Sequence, residues 1–395
     1  MKKIVLIFCA VSFFACGKNP YKGISAGLAE TAKANITLAD SANVPQLEKA
    51  LVDAPAAQKD GMAFLISYMP VGDRDTLDAQ FLLSNVDYAY KARENFAWAK
   101  ALPDSIFYND VLPYASLNEE REDWRSKFWD LFYPLVKDAP DVWAAVDTIN
   151  KSIQDVLNVK YHGSKRRIPH QSPSESMSLG WASCSGLSIM LTDAFRAMGI
   201  PSRIAGTPLW INKSGNHNWT EVWIEGNWYV TEYNPSGLNN GWFLDMAGRA
   251  DKSDPKHWMY ASSWKPTGTT FLMVWDKRNT NVPAYQVSDF YINLRNSKGI
   301  EAKEGIPVTI RMFAHEGATK SSSDRVSADV SILDADGEVI AVGKTASPID
   351  DLNNYLTIYL PEGKNLTIQY TDGNGNKVSK RINTGGPLDL ELFYK

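Results

Sequence analysis

The sequence contains very little cysteine, with three residues in a chain of 395. Two of them, Cys9 and Cys16, fall at the apolar N-terminus, so Cys184 is the only cysteine in the rest of the chain. This distribution excludes an internal disulfide framework and a zinc site built from paired cysteines. The main body must therefore be stabilised by packing, and Cys184 is its single thiol.

Other signatures of common functional classes are also missing. The five histidines show no paired metal-ligand spacing, and no glycine-rich phosphate loop or dinucleotide fingerprint occurs. We therefore expect no cofactor and no metal. The net charge is −4 and the only short basic run is 165–167, which argues against a nucleic-acid partner.

Cys184 lies at the predicted start of a helix. Apolar residues recur at helical spacing from Leu187 to Met198, and Gly199 with Pro201 ends the pattern. The amino terminus of a helix carries partial positive charge and unpaired N–H groups, which stabilise a thiolate and can bind an oxyanion. A lone cysteine is otherwise most often a small buried apolar residue. The position makes Cys184 a candidate nucleophile.

A predicted β-hairpin follows Cys184 in the sequence. Apolar and aromatic residues alternate from residue 217 onward, and Gly226-Asn227 provides a two-residue turn, so that Glu225 would pair with Trp228. Because side chains alternate along a strand, the imidazole of His217 lies on the same face as the side chains of Trp219 and Glu221. A thiol nucleophile needs such an imidazole to activate the sulfur.

The returning strand offers two candidates for a third functional position. In this register Glu232 lies opposite Glu221 and Asn234 lies opposite Trp219, all on the His217 face. An acid or an amide at this position would fix the orientation and tautomer of the ring. Counted along the paired strands, Asn234 is two residues diagonally from His217 and Glu232 is four, so this count favours Asn234.

These motifs together resemble the transglutaminase-like superfamily of papain-type cysteine enzymes. The matching pieces are Cys184 with the helix that follows it, segment 217–222, and Trp228 with an acid four positions later. Segments 85–94 and 171–176 further resemble transglutaminase-like lipoproteins of the Bacteroides group.

The resemblance implies a role for each site residue. Cys184 is the expected nucleophile, His217 the base and Glu232 the orienting residue, although the family usually has Asp at this third position. Family spacing from His217 favours Glu232, whereas the count along the hairpin favours Asn234. We choose Glu232.

The chain is predicted to be an α+β protein of several domains, since 395 residues exceed the usual size of one core. Helical periodicity dominates the first part, and short strands separated by glycine-containing turns dominate the last. The resemblance gives the centre a papain-like, transglutaminase-like core, and it likens the last part to prealbumin-like accessory domains. The expected segments are a signal peptide at 1–15, a tether at 16–40, a helical domain at 41–160, the catalytic core at 161–295 and a β-sandwich of about seven strands at 300–395.

The N-terminus predicts export and a lipid anchor. Lys2 and Lys3 precede an apolar run that is too short to span a bilayer permanently. The junction Ala15-Cys16 is typical of bacterial lipoproteins, and an ordinary signal peptide cut near Ala15 is the alternative. Because no acidic residue occurs in segment 17–20, we expect an outer-membrane lipoprotein, held to the membrane through Cys16 and facing the periplasm rather than the cell surface.

The resemblance implies acyl transfer from an amide through a thioester on Cys184. We expect water rather than a lysine amine as the acceptor, so that hydrolysis of peptide, peptidoglycan or glycan–asparagine amides is favoured over crosslinking. Tryptophans concentrated between residues 181 and 275 suit an extended peptide or sugar rings. The alternative is a non-catalytic peptide- or glycan-binding module that keeps the fold, because the third position departs from the family's Asp.

Overall fold

A computed structural model describes most of the chain. The described residues are 19–212, 215–235, 237–300, 304–318 and 324–395. The signal peptide at 1–15 and Cys16 lie outside them, so the lipid anchor stays a prediction. Among the described residues, none of the helices combines the length and the apolar character that crossing a membrane requires.

The chain divides into two compact units, Met1–Leu83 and Ser84–Lys395. The helices of the first unit pack around buried residues such as Leu47 and Leu65. The first helix lies inside segment 16–40, which the sequence assigned to a tether. The helices are α1 (Ala26–Thr37), α2 (Val44–Asp53), α3 (Lys59–Tyr68) and α4 (Val71–Thr76).

The helices that precede the central sheet agree with the periodicity of the sequence. The predicted helical stretch 81–101 is divided at Phe96, whose backbone is extended. The helices are α5 (Ala79–Asn95), α6 (Ala97–Lys100), α7 (Asp104–Asp110), α8 (Trp124–Val136) and α9 (Val142–Leu157).

The central part of the second unit is a mixed α and β layer. A parallel pair, β1 (Lys160–Tyr161) and β2 (Trp181–Ala182), flanks α10 (Pro173–Leu179) and leads into α11 (Cys184–Ala197). A five-stranded antiparallel sheet follows in the order β5-β4-β3-β6-β7. Its strands are β3 (Ser202–Thr207), β4 (His217–Ile224), β5 (Asn227–Thr231), β6 (Tyr260–Ser262) and β7 (Ala284–Gln286). The remaining helices are α12 (Leu244–Ala247) and α13 (Ser288–Ser297).

Helix α11 is the buried axis of this layer. It contacts β3 and β4 on the sheet side and α8 and α9 on the helical side. Every residue of α11 after Cys184 is buried, including the polar side chains of Ser188, Thr192 and Asp193. Its first residue is therefore held rigidly at the edge of the core.

Two buried arginines fix the opposite end of α11. The Arg125 guanidinium donates to the carbonyls of Arg196, Val111 and Pro113 and to Asn85 Oδ1, over 2.8–3.0 Å. The guanidinium of Arg196 in turn donates to the carbonyls of Asp110, Ala115 and Ser202. These bonds satisfy loop carbonyls that would otherwise be buried without a donor.

The C-terminal part forms two sheets packed face to face. One is four-stranded in the order β10-β9-β12-β13, and the other is three-stranded in the order β11-β8-β14. Apolar residues of both sheets share one core. The strands are β8 (Ile306–Phe313), β9 (Asp329–Leu333), β10 (Val339–Lys344), β11 (Leu356–Leu360), β12 (Asn365–Thr371), β13 (Lys377–Asn383) and β14 (Leu388–Phe393). The α+β fold class with a C-terminal sandwich is confirmed.

Replacing Arg125 should destabilise the second unit strongly. We expect Arg125→Met to lower the free energy of unfolding by about 3 kcal/mol, because several buried carbonyls lose a charged donor at once. Urea unfolding followed by tryptophan fluorescence measures this change. Arg278→Met removes an exposed arginine and is the matched control. Equal stability of the two variants would contradict a structural role for Arg125.

Candidate active site

Cys184 is the first residue of α11, as predicted from the sequence. Ser183 precedes the helix in an extended conformation, and the thiol is partly exposed. Amides in the first turn of a helix have no partner within the helix, so they are available to a ligand beside the sulfur. The side chain of Asn218 donates to Ser185 Oγ at 2.9 Å and ties this turn to β4.

Glycine at position 206 makes that tie possible. A Cβ on Gly206 would lie 2.1 Å from Asn218 Oδ1, so any side chain on β3 at this point would displace the Asn218 amide. The absence of a side chain on one strand thus allows the next strand to hold the start of α11.

His217 is the first residue of β4 and pairs with Thr207 of β3. Its imidazole is buried among aromatic rings, with centroid distances of 5.0 Å to Trp242, 5.2 Å to Phe243 and 5.7 Å to Trp219. This packing leaves the ring little freedom to rotate. Trp210, which the sequence suggested as a possible wall of the groove, is fully buried behind these rings instead.

The hairpin after His217 has a different turn from the predicted one. Ile224 pairs with Asn227, so Glu225 and Gly226 form the two-residue turn. Both turn residues have positive φ, 48° and 95°, as a type I′ turn requires. The predicted turn at Gly226-Asn227 is therefore wrong by one residue, because Glu225 accepts a left-handed conformation that the sequence did not suggest.

This change of register determines which residue meets the histidine. The last pair of the hairpin is Thr220 with Thr231, so Glu232 continues opposite Trp219 rather than Glu221. Glu232 therefore occupies the position diagonal to His217 that the predicted register assigned to Asn234. Glu232 Oε2 lies 3.5 Å from His217 Nε2. Asn234 points away and accepts a hydrogen bond from Gln154.

A second carboxylate, which the sequence did not reveal, contacts the other imidazole nitrogen. Asp351 Oδ2 lies 3.3 Å from His217 Nδ1, and the Asp351 side chain is only 7% exposed. Asp351 belongs to the loop between β10 and β11, residues 345–355, which we call the 345–355 loop. No motif marked this residue, since an Asp-Asp pair in a loop is ordinarily solvated.

The electrostatics of the site follow from these two carboxylates. Burial acts to lower the pKa of His217, but the charge of Asp351 and the contacts with Cys184 and Glu232 raise it well above its usual value. Burial acts to raise the pKa of Asp351, but the charge of His217 outweighs it and lowers that pKa. The pair therefore favours the protonated form of His217 and the ionised form of Asp351.

A sulfur, an imidazole nitrogen and a carboxylate oxygen of Cys184, His217 and Asp351 lie within 4.8 Å of one another. Zinc accepts all three ligand types. A metal would have to displace a proton from an imidazole nitrogen, however, and the raised pKa of His217 opposes this loss. The arrangement thus favours an ion pair next to a thiol over a metal site.

Two cavities open beside Cys184. The larger has a volume of about 200 Å³. The smaller has a volume of about 90 Å³ and includes Trp275. Both are bordered by Cys184, Tyr161 and Asp351, so the 345–355 loop contributes to the wall of each. The larger cavity is further lined by Glu232, Tyr233, Asn234, Trp242 and Asp350.

Comparison with known proteins identifies the central segment. A sequence model of the transglutaminase-like superfamily matches residues 133–233, which include Cys184, His217 and Glu232. The chain therefore contains a transglutaminase-like domain, as the sequence motifs implied. The match begins within α8, inside the segment predicted as a separate helical domain. The more specific resemblance to Bacteroides-group lipoproteins stays a prediction.

Curated proteins and solved structures show less similarity to this chain. No curated protein matches the chain. Among solved structures, the chain is similar to a candidate cysteine protease from Cytophaga hutchinsonii, at 20% identity and a TM-score of 0.28. The similarity covers 35% of this chain and 45% of that one, so the chain spans less than half the length of that protein. No argument about activity is drawn from this likeness.

The protonation state of His217 is directly measurable. In NMR of protein labelled with ¹⁵N-histidine, His217 should titrate with a midpoint well above the ordinary value of about 6.5. Asp351→Asn should lower this midpoint, because it removes the charge that raises the pKa of the imidazole. His217→Gln assigns the resonance. A midpoint at or below the ordinary value in the wild type would contradict the ion pair.

Proposed function

We propose that the protein transfers acyl groups from amides by way of a thioester on Cys184, and that it acts mainly as a hydrolase. The observation that carries this proposal is the convergence of three groups. Cys184 is at the start of a buried helix, His217 is fixed on the adjacent strand, and Glu232 is 3.5 Å from the far imidazole nitrogen. Nucleophile, base and orienting acid are the three roles that such catalysis needs.

The first half of the reaction makes the thioester. Neutral His217 accepts the thiol proton, and the sulfur of Cys184 bonds to the amide carbonyl carbon while the carbonyl electrons move to oxygen. N–H groups in the first turn of α11 are the donors available to this oxyanion. When the carbonyl re-forms, the C–N bond breaks, and the imidazolium gives its proton to the departing amine.

The second half uses water. Neutral His217 takes a proton from water as the oxygen bonds to the thioester carbon, and the C–S bond then breaks to release a carboxylic acid and the thiolate. The cavity of about 200 Å³ beside Cys184 has the polar side chains of Asn218 and Glu232 in its lining. A small, partly polar cavity suits water better than the long side chain of a second protein, which supports hydrolysis over crosslinking.

Peptide, peptidoglycan and glycan–asparagine amides are the proposed substrate classes. The support is the mixed lining of the two cavities, in which Trp242 and Trp275 offer aromatic faces to a peptide or a sugar ring. A lipid anchor on Cys16, which would place the site at the periplasmic face of the outer membrane, belongs to the same proposal and rests on the Ala15-Cys16 junction.

A second candidate function is a non-catalytic binding module. The observation that favours it is the contact of Asp351 with His217. The Asp351 carboxylate lies next to His217 Nδ1, so this nitrogen already has a partner before any substrate binds. In this case the cavities would bind peptide or glycan, and Cys184 would not react. Turnover and thiol reactivity distinguish the two functions.

The direct test is product formation by the purified protein. Incubation with peptidoglycan, glycopeptides and casein, followed by mass spectrometry, should reveal new carboxylate ends, and Cys184→Ala should form none. The variant should keep its fold, because a small side chain at a helix start leaves little cavity. Equal product from wild type and Cys184→Ala would rule out the thioester. If the wild type forms no product and its Cys184 resists iodoacetamide, the binding module is the better account.

The role of Glu232 has its own test. Glu232→Gln should reduce kcat by orders of magnitude, because the amide no longer stabilises the imidazolium or fixes its tautomer. Asn234→Ala should change kcat little, since Asn234 bonds to Gln154 and not to the imidazole. The opposite ranking of the two variants in steady-state kinetics would transfer the orienting role to Asn234.

A further inference from the structure

We propose that the 345–355 loop is an autoinhibitory strap, which sets the Asp351 carboxylate beside Cys184 and His217 in the position that a leaving amine or an attacking water must occupy. This inference rests on the proposed function, because only a reacting thiol can be inhibited. It assigns to the β-sandwich a direct effect on the chemistry of the transglutaminase-like domain.

The first argument is the identity of the imidazole nitrogen that Asp351 contacts. Glu232 is already near Nε2, so the orienting position is filled. Nδ1 is the nitrogen left for the thiol, and this is the atom that Asp351 approaches to 3.3 Å. A second orienting acid is not needed there. The carboxylate instead competes with the sulfur for the same proton.

The second argument is charge. Ionising Cys184 with the loop in place would gather three anions, the thiolate, Glu232 and Asp351, around one imidazolium. Like charges close together in a buried site repel strongly, because little water screens them. The ion pair of Asp351 with His217 therefore prevents formation of the thiolate–imidazolium pair that the reaction requires.

The third argument is that the loop is fastened on both sides. On the transglutaminase-like domain, the Leu352 amide donates to Tyr161 Oη at 2.7 Å, and the Asn353 side chain donates to the Asn216 carbonyl. On the sandwich, the buried Arg325 guanidinium donates to the Asp351 carbonyl at 2.9 Å and to that of Leu352. Backbone and side chain contacts thus hold Asp351 in place.

The fourth argument is access. The 345–355 loop lines both the cavity of about 200 Å³ and that of about 90 Å³, and both border Cys184. A substrate that fills both cavities at once therefore contacts Asp351. Withdrawal of the loop would make room for it, and the bonds of Leu352 and Asn353 to the transglutaminase-like domain are those that would have to break.

The test compares Asp351→Asn with Asp329→Asn, an identical change at an exposed site on β9. The first readout is the rate of Cys184 alkylation by iodoacetamide at neutral pH, which needs no substrate. We expect Asp351→Asn to accelerate alkylation by about tenfold or more, because a repelling charge beside the thiolate is removed, and Asp329→Asn to match the wild type. An unchanged or slower rate in Asp351→Asn would overturn the proposal.

A second variant keeps Asp351 and loosens its support. Asn353→Ala removes the side chain that bonds to Asn216, so it should raise the alkylation rate by a smaller factor and increase hydrogen exchange in the 345–355 loop. If exchange increases and alkylation does not, the loop is not inhibitory. This variant also tests the proposal should Asp351→Asn fail to fold.

Turnover separates this proposal from the proposed function. An inhibitory loop predicts a higher kcat for Asp351→Asn in the product assay, whereas a loss of kcat would make Asp351 a positioning residue and overturn the strap. Faster alkylation of Asp351→Asn without product from any substrate would support the strap and count against the amide hydrolase.

Discussion

The site depends on one imidazole that lies between two carboxylates. His217 is buried among tryptophan and phenylalanine rings, where a charge would be costly without partners. Glu232 at one nitrogen and Asp351 at the other make the imidazolium stable, and the charge of Asp351 is the stronger cause of the raised pKa of His217. The ring is therefore held in one orientation, and its protonated form is favoured. The reactivity of Cys184 depends on the protonation state of this imidazole.

The rest of the second unit serves to keep Cys184 next to this pair. Helix α11 is buried along its length. At its C-terminal end, the guanidinium groups of Arg125 and Arg196 donate hydrogen bonds to backbone carbonyls and so fix the helix to the surrounding loops. At the near end, the Asn218–Ser185 hydrogen bond joins the helix to the strand of His217. A thiol and an imidazole supplied by different elements thus keep a fixed separation.

One of the two carboxylates is close to His217 in the sequence, and the other comes from a distant part of the chain. Glu232 is supplied by the same hairpin as His217, and its position follows from a local turn. Asp351 arrives from the sandwich through a loop that makes bonds to both parts. A local acid suits a permanent catalytic role, because it cannot leave without unfolding the sheet. An acid on a loop can be withdrawn by breaking a few hydrogen bonds, and this difference is the physical basis for assigning orientation to Glu232 and inhibition to Asp351.

The sequence by itself indicated the type of the main elements and offered Cys184 and His217 as candidates. Helical periodicity predicted the helical character of the first part and the helix α11 that begins at Cys184. The motifs around Cys184 and His217 identified the transglutaminase-like domain. The sequence could not settle the hairpin register, since a turn at Glu225 depends on a left-handed backbone that glutamate rarely adopts. One residue of difference in the turn decided between Glu232 and Asn234.

Only the tertiary structure revealed Asp351. Its partner His217 lies in another sheet, and no local pattern connects two residues so far apart in the chain. Contacts of this kind are created when separate hydrophobic cores pack against each other, and the side chains at the junction take their chemistry from that packing. The sequence fixes which residues can ionise. The fold decides which of them are buried together, and therefore which charge the histidine carries.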